Sequence, residues 1–303
     1  MRLPNDAQAR PQRASAIRRV LWVVLGLNLA VAGAKLSIGV SVNSLGMVAD
    51  GFHSLLDGSS NVIGLIGMAL ASRPPDLDHP YGHHKYESFS ALAIALLLGL
   101  TALEVVRAGV ARLGSEVRPV PTALAYAVMV ATMVVNAAVT RYESVAGRRL
   151  RSEVLLADAG HTRSDIFVSL SVLVGLAAAW LEVYWLDALV AFAIAALILW
   201  IAWGILQRGT STLVDTASLK PEEIAAVVNA VPGVRSSSQI RSRGEPPHLF
   251  IDLEIQLDPE TPLREAHRVA HDVREACLRT FSASDAVVHV EPDEDRPGTR
   301  PSG

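Results

Sequence analysis

The sequence predicts a membrane protein built as a six-helix transmembrane bundle followed by a small cytosolic α+β domain. Half of the 303 residues are hydrophobic and only 19% are charged, whereas soluble chains carry about 25% charged residues. Six apolar runs each reach the length of about 20 residues that a helix needs to cross a hydrocarbon core about 30 Å thick. After Arg208 the composition becomes that of a soluble domain.

The six runs define the transmembrane part of the chain. They lie near 20–40, 45–71, 88–111, 121–141, 154–180 and 184–206. Eleven Lys and Arg residues fall in the N-terminal arm and the even-numbered loops, against three on the other side, so we expect both termini in the cytoplasm of a multi-pass protein of the cell inner membrane. The expected domains are a cytosolic basic N-terminal arm (1–19), the six-span domain (20–210), a cytosolic α+β domain for dimerisation or regulation (211–292) and a flexible tail (293–303).

The cytosolic domain reads as αββαβ. Its first helix is expected to start behind a Ser218 cap, with Pro221 in the first turn, and to end near Val231 before Pro232 and Gly233. The remaining elements are strands over 234–242 and 248–257, a helix over 263–280 and a strand over 285–291.

Composition also excludes several classes of function. The single cysteine, Cys277, excludes a disulfide scaffold and a multi-thiolate metal site. The net charge of −3 gives no reason to expect a nucleic-acid partner. No H-E-x-x-H motif supports a zinc hydrolase within the membrane, so we do not expect an enzyme.

Two of the spans carry the same polar motif, His-x-x-x-Asp. The second contains His53 and Asp57, and the fifth contains His161 and Asp165. Residues four apart share one face of a helix, so each motif offers an imidazole and a carboxylate to one point. Both pairs are expected near the middle of the bilayer, because each begins about 10 Å from the surface where its helix enters.

These four side chains have two interpretations. They either form structural hydrogen bonds between helices or bind a metal. Placing an aspartate at the centre of a membrane helix costs about 2.5–3.5 kcal/mol of insertion free energy. This cost is high for a purely structural role. Two imidazoles and two carboxylates make a tetrahedral site suited to zinc, with cobalt, cadmium, iron or nickel as alternatives. Asp50 and Asp158, one turn before each histidine, either support the ligands, line a path or pack helices.

Metal binding at histidine is coupled to protons. An imidazole must be neutral to bind a metal, so protonation between about pH 5 and 8 expels the ion. A site that opened to each face of the membrane in turn would exchange metal for protons.

Lys35 of the first span lies near the outer end of that span and can extend its amine to the outer surface.

The order of these motifs resembles the cation diffusion facilitator family, in particular its bacterial zinc/iron exporter branch. The loop DLDHPYGHHKYES adds to the resemblance. The resemblance implies a homodimer that carries divalent metal outward in exchange for protons. It places His53, Asp57, His161 and Asp165 at the transport site, and the histidine at position 53 favours zinc.

Further sites follow from the same resemblance. Asp76, His79 and His83 match a second metal site, although a solvated turn also explains them. Lys85 and Asp215 match a salt bridge between the membrane and cytosolic parts, although they could be unrelated surface charges. The resemblance also implies that zinc binds as a regulatory ligand across the dimer interface. The family positions that would bind it are occupied here by Asp252, His267, His289 and Glu291.

Ser238 and Glu254 replace histidines found in some members, which argues against a complete binuclear cluster.

Three other functions stay open: transport of iron, manganese, cobalt or cadmium, a passive metal channel, and a membrane protein that senses metal.

Overall fold

The structure is a computed structural model that describes residues 4–41, 45–113, 123–180, 184–246 and 248–293. Within these ranges the side chains of some helical residues, Asp50 and His53 among them, lie outside the description. The predicted tail also lies outside it from residue 294 onward. The chain divides into two compact units, Met1–Thr210 and Ser211–Gly303.

The described residues of the first unit form six helices, each of which overlaps one of the six apolar runs. The first begins at Pro4, so the predicted N-terminal arm is helical from that residue and continuous with the first span. Their bounds are α1 Pro4–Ser41, α2 Leu45–Ala71, α3 Lys85–Leu113, α4 Ala123–Leu150, α5 Glu153–Trp180 and α6 Tyr184–Leu213.

Three of these helices are long and apolar enough to cross a membrane by composition alone, among the residues that the structure describes. Their apolar segments are Gln12–Ile38, Lys85–Ala111 and Leu189–Leu213. The other three, α2, α4 and α5, are 27 or 28 residues long, which also suffices to span. Polar residues interrupt α2 and α5, and these are the helices that carry the His-x-x-x-Asp motifs.

A glycine lets the second helix pack closely against its neighbours. A Cβ atom on Gly64 would lie 3.1 Å from Val154 Cγ2 and 3.2 Å from Leu21 Cδ2. Small residues at such contacts allow membrane helices to approach each other closely. The glycine therefore brings α2 against both α1 and α5.

The second unit has the predicted αββαβ order. Its elements are α7 Pro221–Val228, β1 Ser236–Arg243, β2 Phe250–Leu257, α8 Leu263–Phe281 and β3 Asp285–Pro292. The expected Ser218 cap is wrong, because the N-cap residue is Lys220 and the Ser218 hydroxyl donates to the Gly244 carbonyl instead. Pro221, which favours the first helical position, sets this boundary.

The sheet has the order β1-β2-β3, with β1 antiparallel and β3 parallel to the central strand. Alternate residues of β2 are buried: Ile251, Leu253, Ile255 and Leu257. They pack with α7 and with Val269, Val273 and Cys277 of α8 in one hydrophobic core. The polar residues of β2 therefore lie on the opposite face of the sheet.

Candidate metal centre

The structure brings three of the four predicted transport-site residues together inside the helical unit. One ligand atom each from Asp57 of α2, His161 and Asp165 of α5 lies within 4.8 Å of the other two. A zinc ion holds its ligands at about 2.0–2.2 Å, so two atoms on one ion lie at most about 4.4 Å apart. A small contraction would therefore let one cation contact all three side chains.

His161 is buried, with 5% of its surface exposed. Neither ring nitrogen has a hydrogen-bond partner among the residues that the structure describes. A buried polar group without a partner costs about 1–3 kcal/mol, so native proteins rarely leave one. A metal ion among the three ligand atoms would satisfy one nitrogen of the ring.

His53, the fourth predicted ligand, belongs to α2, but its side chain lies outside the description, as does that of Asp50. His53 precedes Asp57 by four residues in one continuous helix, so the backbone places it one turn away on the same face. Its contribution to the site stays a prediction.

A positive charge lies beside this site. Lys35 of α1 is 7% exposed, and its Nζ donates to Ser54 Oγ at 2.8 Å. The expectation that Lys35 extends to the membrane surface is therefore wrong. Because Ser54 precedes Asp57 by three residues on one helix, the ammonium lies about one turn from the site carboxylate. A pattern of apolar spans gives no signal for this contact between α1 and α2.

A polar network extends from the site through three helices. Asn28 Nδ2 donates to Asn61 Oδ1 at 2.8 Å, and Asn61 Nδ2 donates to Asp158 Oδ2. Asp158 is completely buried and lies one turn before His161. Its position favours support of the site or a place along a path.

Glu143 of α4 is a candidate functional residue that the sequence did not reveal. It is completely buried, and its Oε2 accepts a hydrogen bond of 3.4 Å from Thr162 Oγ1, next to His161 in the chain. The predicted fourth span ended at residue 141, which placed Glu143 in a loop. The helix in fact continues to Leu150. The sequence signal that could have identified Glu143 was a carboxylate within the part of the helix that extends beyond the predicted span.

The loop between α2 and α3 holds a second cluster of metal-binding side chains. Asp76, His79 and His83 each offer a ligand atom within 4.8 Å of the others. Asp76 Oδ1 lies 3.1 Å from His79 Nδ1, and Asp76 Oδ2 lies 3.4 Å from His83 Nε2. The backbone N–H of His79, with help from both imidazoles, lowers the pKa of the Asp76 carboxyl below its ordinary value. The carboxyl is therefore held in the ionised form that binds metal.

The predicted cytosolic ligands are only partly brought together within one chain. His289 Nε2 lies 3.6 Å from Glu291 Oε1 on β3. Asp252 lies on the neighbouring strand, β2. It is two residues from Glu254, which pairs with His289 in the register of the sheet. His267 lies on α8, which packs on the other face of the sheet, and the four form no compact cluster among the described residues.

The predicted Lys85–Asp215 pair joins residues of different units and stays a prediction. Within the second unit, the carboxylate of Asp215 lies 3.9 Å from Arg243 Nη1.

Comparison with known proteins matches nearly the whole chain. The description "Cation efflux transmembrane domain" matches residues 21–214, and "Cation efflux protein, cytoplasmic domain" matches residues 218–293. These two matches correspond to the helical unit and to the αββαβ unit.

Individual relatives agree with these matches. An uncharacterized transporter of Methanocaldococcus jannaschii is 33% identical over 87% of this chain and 94% of its own length. The cation-efflux pump FieF of Klebsiella pneumoniae is 31% identical over 83% of this chain and 84% of the pump. The manganese efflux system protein MneS of Bacillus subtilis is 27% identical over 90% of this chain and 95% of its own. A solved structure of MamM-CTD is 27% identical and covers 24% of this chain and 92% of that chain, with a TM-score of 0.23.

The two family descriptions and the relatives above 30% identity confirm the predicted fold class and the family that the two His-x-x-x-Asp motifs indicated. The chain belongs to the cation diffusion facilitator family of cation efflux transporters in membranes.

Proposed function

We propose that this chain is a metal/proton antiporter that exports a divalent transition metal, zinc by preference, through a tetrahedral site of His53, Asp57, His161 and Asp165. The observation that carries the proposal is the cluster of Asp57, His161 and Asp165 around a buried imidazole that has no partner among the described residues. Nitrogen and carboxylate oxygen in one small site are the ligands that zinc takes.

The same site supplies the coupling to protons. Metal binds the neutral imidazole, and a proton at His161 competes with it for the ring nitrogen. Histidine takes up a proton near physiological pH, so a modest difference in pH between the two faces shifts this competition. Metal leaves where protons are abundant, and the emptied site carries protons back.

Orientation and assembly complete the proposal. The excess of Lys and Arg in the N-terminal arm and the even-numbered loops supports cytoplasmic termini in the cell inner membrane and outward transport of metal. We propose a homodimer in which the αββαβ unit joins two chains and binds zinc as a regulatory ligand. Its polar sheet face would carry Asp252, His289 and Glu291 to that interface. We assign no enzymatic activity.

Metal-by-metal uptake into proteoliposomes of the purified chain tests this function. We expect zinc uptake that rises when the lumen is made acidic, because lumenal protons then displace the ion from the site. Asp57→Asn should abolish uptake, whereas Glu104→Gln, an exposed carboxylate of α3, should leave it unchanged. Zinc flux that ignores an imposed pH gradient contradicts antiport, and an active Asp57→Asn variant contradicts the assigned site.

A second candidate substrate is manganese, because one relative is named a manganese efflux protein. Iron, cobalt and cadmium suit the same ligands. The variant His53→Asp separates these substrates. Replacing a nitrogen ligand by oxygen should move selectivity from zinc toward manganese, and an unchanged order of metals contradicts the role given to His53. A metal sensor, in contrast, would keep its signalling in Asp57→Ala.

A further inference from the structure

Two carboxyl groups outside the Asp57, His161 and Asp165 cluster meet in the interior of the helical unit. Glu143 of α4 and Asp158 of α5 are both completely buried. The Thr162 hydroxyl links the two residues, because it lies 3.4 Å from Glu143 Oε2 and 3.2 Å from the backbone carbonyl oxygen of Asp158. No ion-pair partner accompanies either of them in the described part of the chain.

Among the described residues, each carboxyl has one oxygen with a hydrogen-bond donor and one oxygen without. Glu143 Oε2 accepts from the Thr162 hydroxyl, and Asp158 Oδ2 accepts from the Asn61 amide. Glu143 Oε1 and Asp158 Oδ1 have no donor among the described residues. The neighbours thus fix the orientation of both groups and leave one oxygen of each for a further partner.

That partner must carry positive charge. Burying a single carboxylate costs several kcal/mol, and a second negative charge beside it adds repulsion. Either a proton or a metal ion between the two free oxygens removes this cost. The oxygen-only set of two carboxylates and a threonine hydroxyl suits a divalent cation that still keeps some of its water.

The pair lies next to the transport site. Asp158 precedes His161 by three residues of α5, a rise of about 4.5 Å along the helix axis. It lies on the side of His161 nearer to Glu153, where α5 begins. With the proposed orientation this is the cytoplasmic side.

We propose that Glu143 and Asp158 form a separate binding station for the transported divalent cation, on the cytoplasmic side of the transport site. This inference rests on the proposed function and deepens it. The ion binds first to the two carboxylate oxygens and then moves about one helical turn to His161. Thr162, which contacts Glu143 and follows His161 in the chain, joins the two positions.

Equilibrium titration of the purified full-length chain with Zn²⁺ tests the station apart from the transport site. In a His161→Ala background, adding Glu143→Gln should remove one bound zinc per chain. Asp158→Asn, also isosteric, should remove the same ion, whereas Glu104→Gln should remove none. In the otherwise unchanged chain, Glu143→Gln should raise the KM for zinc uptake about 10-fold or more, with a smaller effect on kcat.

An unchanged zinc count in both isosteric variants overturns the station, whatever happens to uptake, because a pair that only holds a proton binds no metal. If Glu104→Gln lowers the number of bound zinc ions as much as Glu143→Gln does, the proposed binding station is also overturned. Failure of the proposed function has a different signature, since His161→Ala alone would then transport zinc like the unchanged chain.

Discussion

Arg13 and Glu87 form an ion pair of 3.0 Å between Nη1 and Oε2 that joins the start of α1 to the start of α3. The same guanidinium donates to the carbonyls of Leu150, at 2.8 Å, and Arg151, at 2.7 Å. Ser152 Oγ donates to the other oxygen of Glu87 at 2.6 Å. One end of α1, one end of α3 and the turn between α4 and α5 are therefore held by a single network.

Removing one member of this network should destabilise the helical unit. Arg13→Gln leaves the Glu87 carboxylate, which is mostly buried, without its charge partner, and we expect a loss of about 3 kcal/mol. Thermal unfolding of the purified protein in detergent measures this loss. Arg18→Gln, which changes an exposed arginine five residues further along α1, is the control. Equal effects of the two variants would contradict a specific role for the Arg13–Glu87 pair.

The buried ammonium of Lys35 should weaken metal binding at the transport site. Like charges repel in a low-dielectric interior, so Lys35→Met should lower the Kd for zinc several-fold. Ser54→Ala removes the hydrogen bond at 2.8 Å but keeps the charge, and it should change the Kd little. Zinc titration of the two variants separates charge from packing. Weaker binding in Lys35→Met would show that the lysine supports the site.

The loop cluster should bind zinc independently of the transport site. Asp76→Asn should weaken loop binding about 10-fold or more, because it removes the charged ligand. His84→Ala, a histidine of the same loop outside the cluster, should have no such effect.

The pH dependence of loop binding follows from the lowered pKa of Asp76. The carboxyl stays ionised as the solution is acidified, so affinity should fall in the range where imidazole takes up a proton. Zinc titrations at several pH values give the profile. Affinity that stays constant through the histidine range would contradict ligation by His79 and His83.

Cys277 should make the second unit less stable in alkali. Burial raises the pKa of its thiol from 9.0 to about 11. An unfolded chain ionises this thiol at lower pH than the folded chain, so its contribution to stability is complete below about pH 9 and is lost between about pH 9 and 11. Chemical unfolding across this range should show a steeper alkaline loss in the unchanged chain than in Cys277→Ala. Parallel pH profiles would contradict the assignment.

Local sequence patterns were sufficient to predict the helices and strands. The apolar runs correspond to α1–α6, and the alternation in LFIDLEIQL predicted β2 because each buried residue of that strand faces one core. Boundaries were less predictable. Glu143 was missed because α4 continues beyond its apolar run, where packing against α5 rather than lipid stabilises the helix.

Part of the candidate site could be predicted because its residues repeat at helical spacing. His161 and Asp165 are four residues apart, and the matching spacing in α2 identified Asp57. Contacts between distant segments could not be predicted in this way. Lys35 with Ser54 and Arg13 with Glu87 are separated by 19 and 74 residues, and nothing in either local pattern specifies the partner.

Anomalous X-ray scattering at the zinc edge, from crystals of the zinc-loaded protein, tests most directly whether Asp57, His161 and Asp165 hold one ion. We predict a peak about 2.0–2.2 Å from a nitrogen of His161 and from one carboxylate oxygen each of Asp57 and Asp165. The same crystals of His161→Ala should lose that peak and keep the one between Asp76, His79 and His83. Zinc at the loop cluster with none beside His161, at saturating metal, would contradict the carrier mechanism.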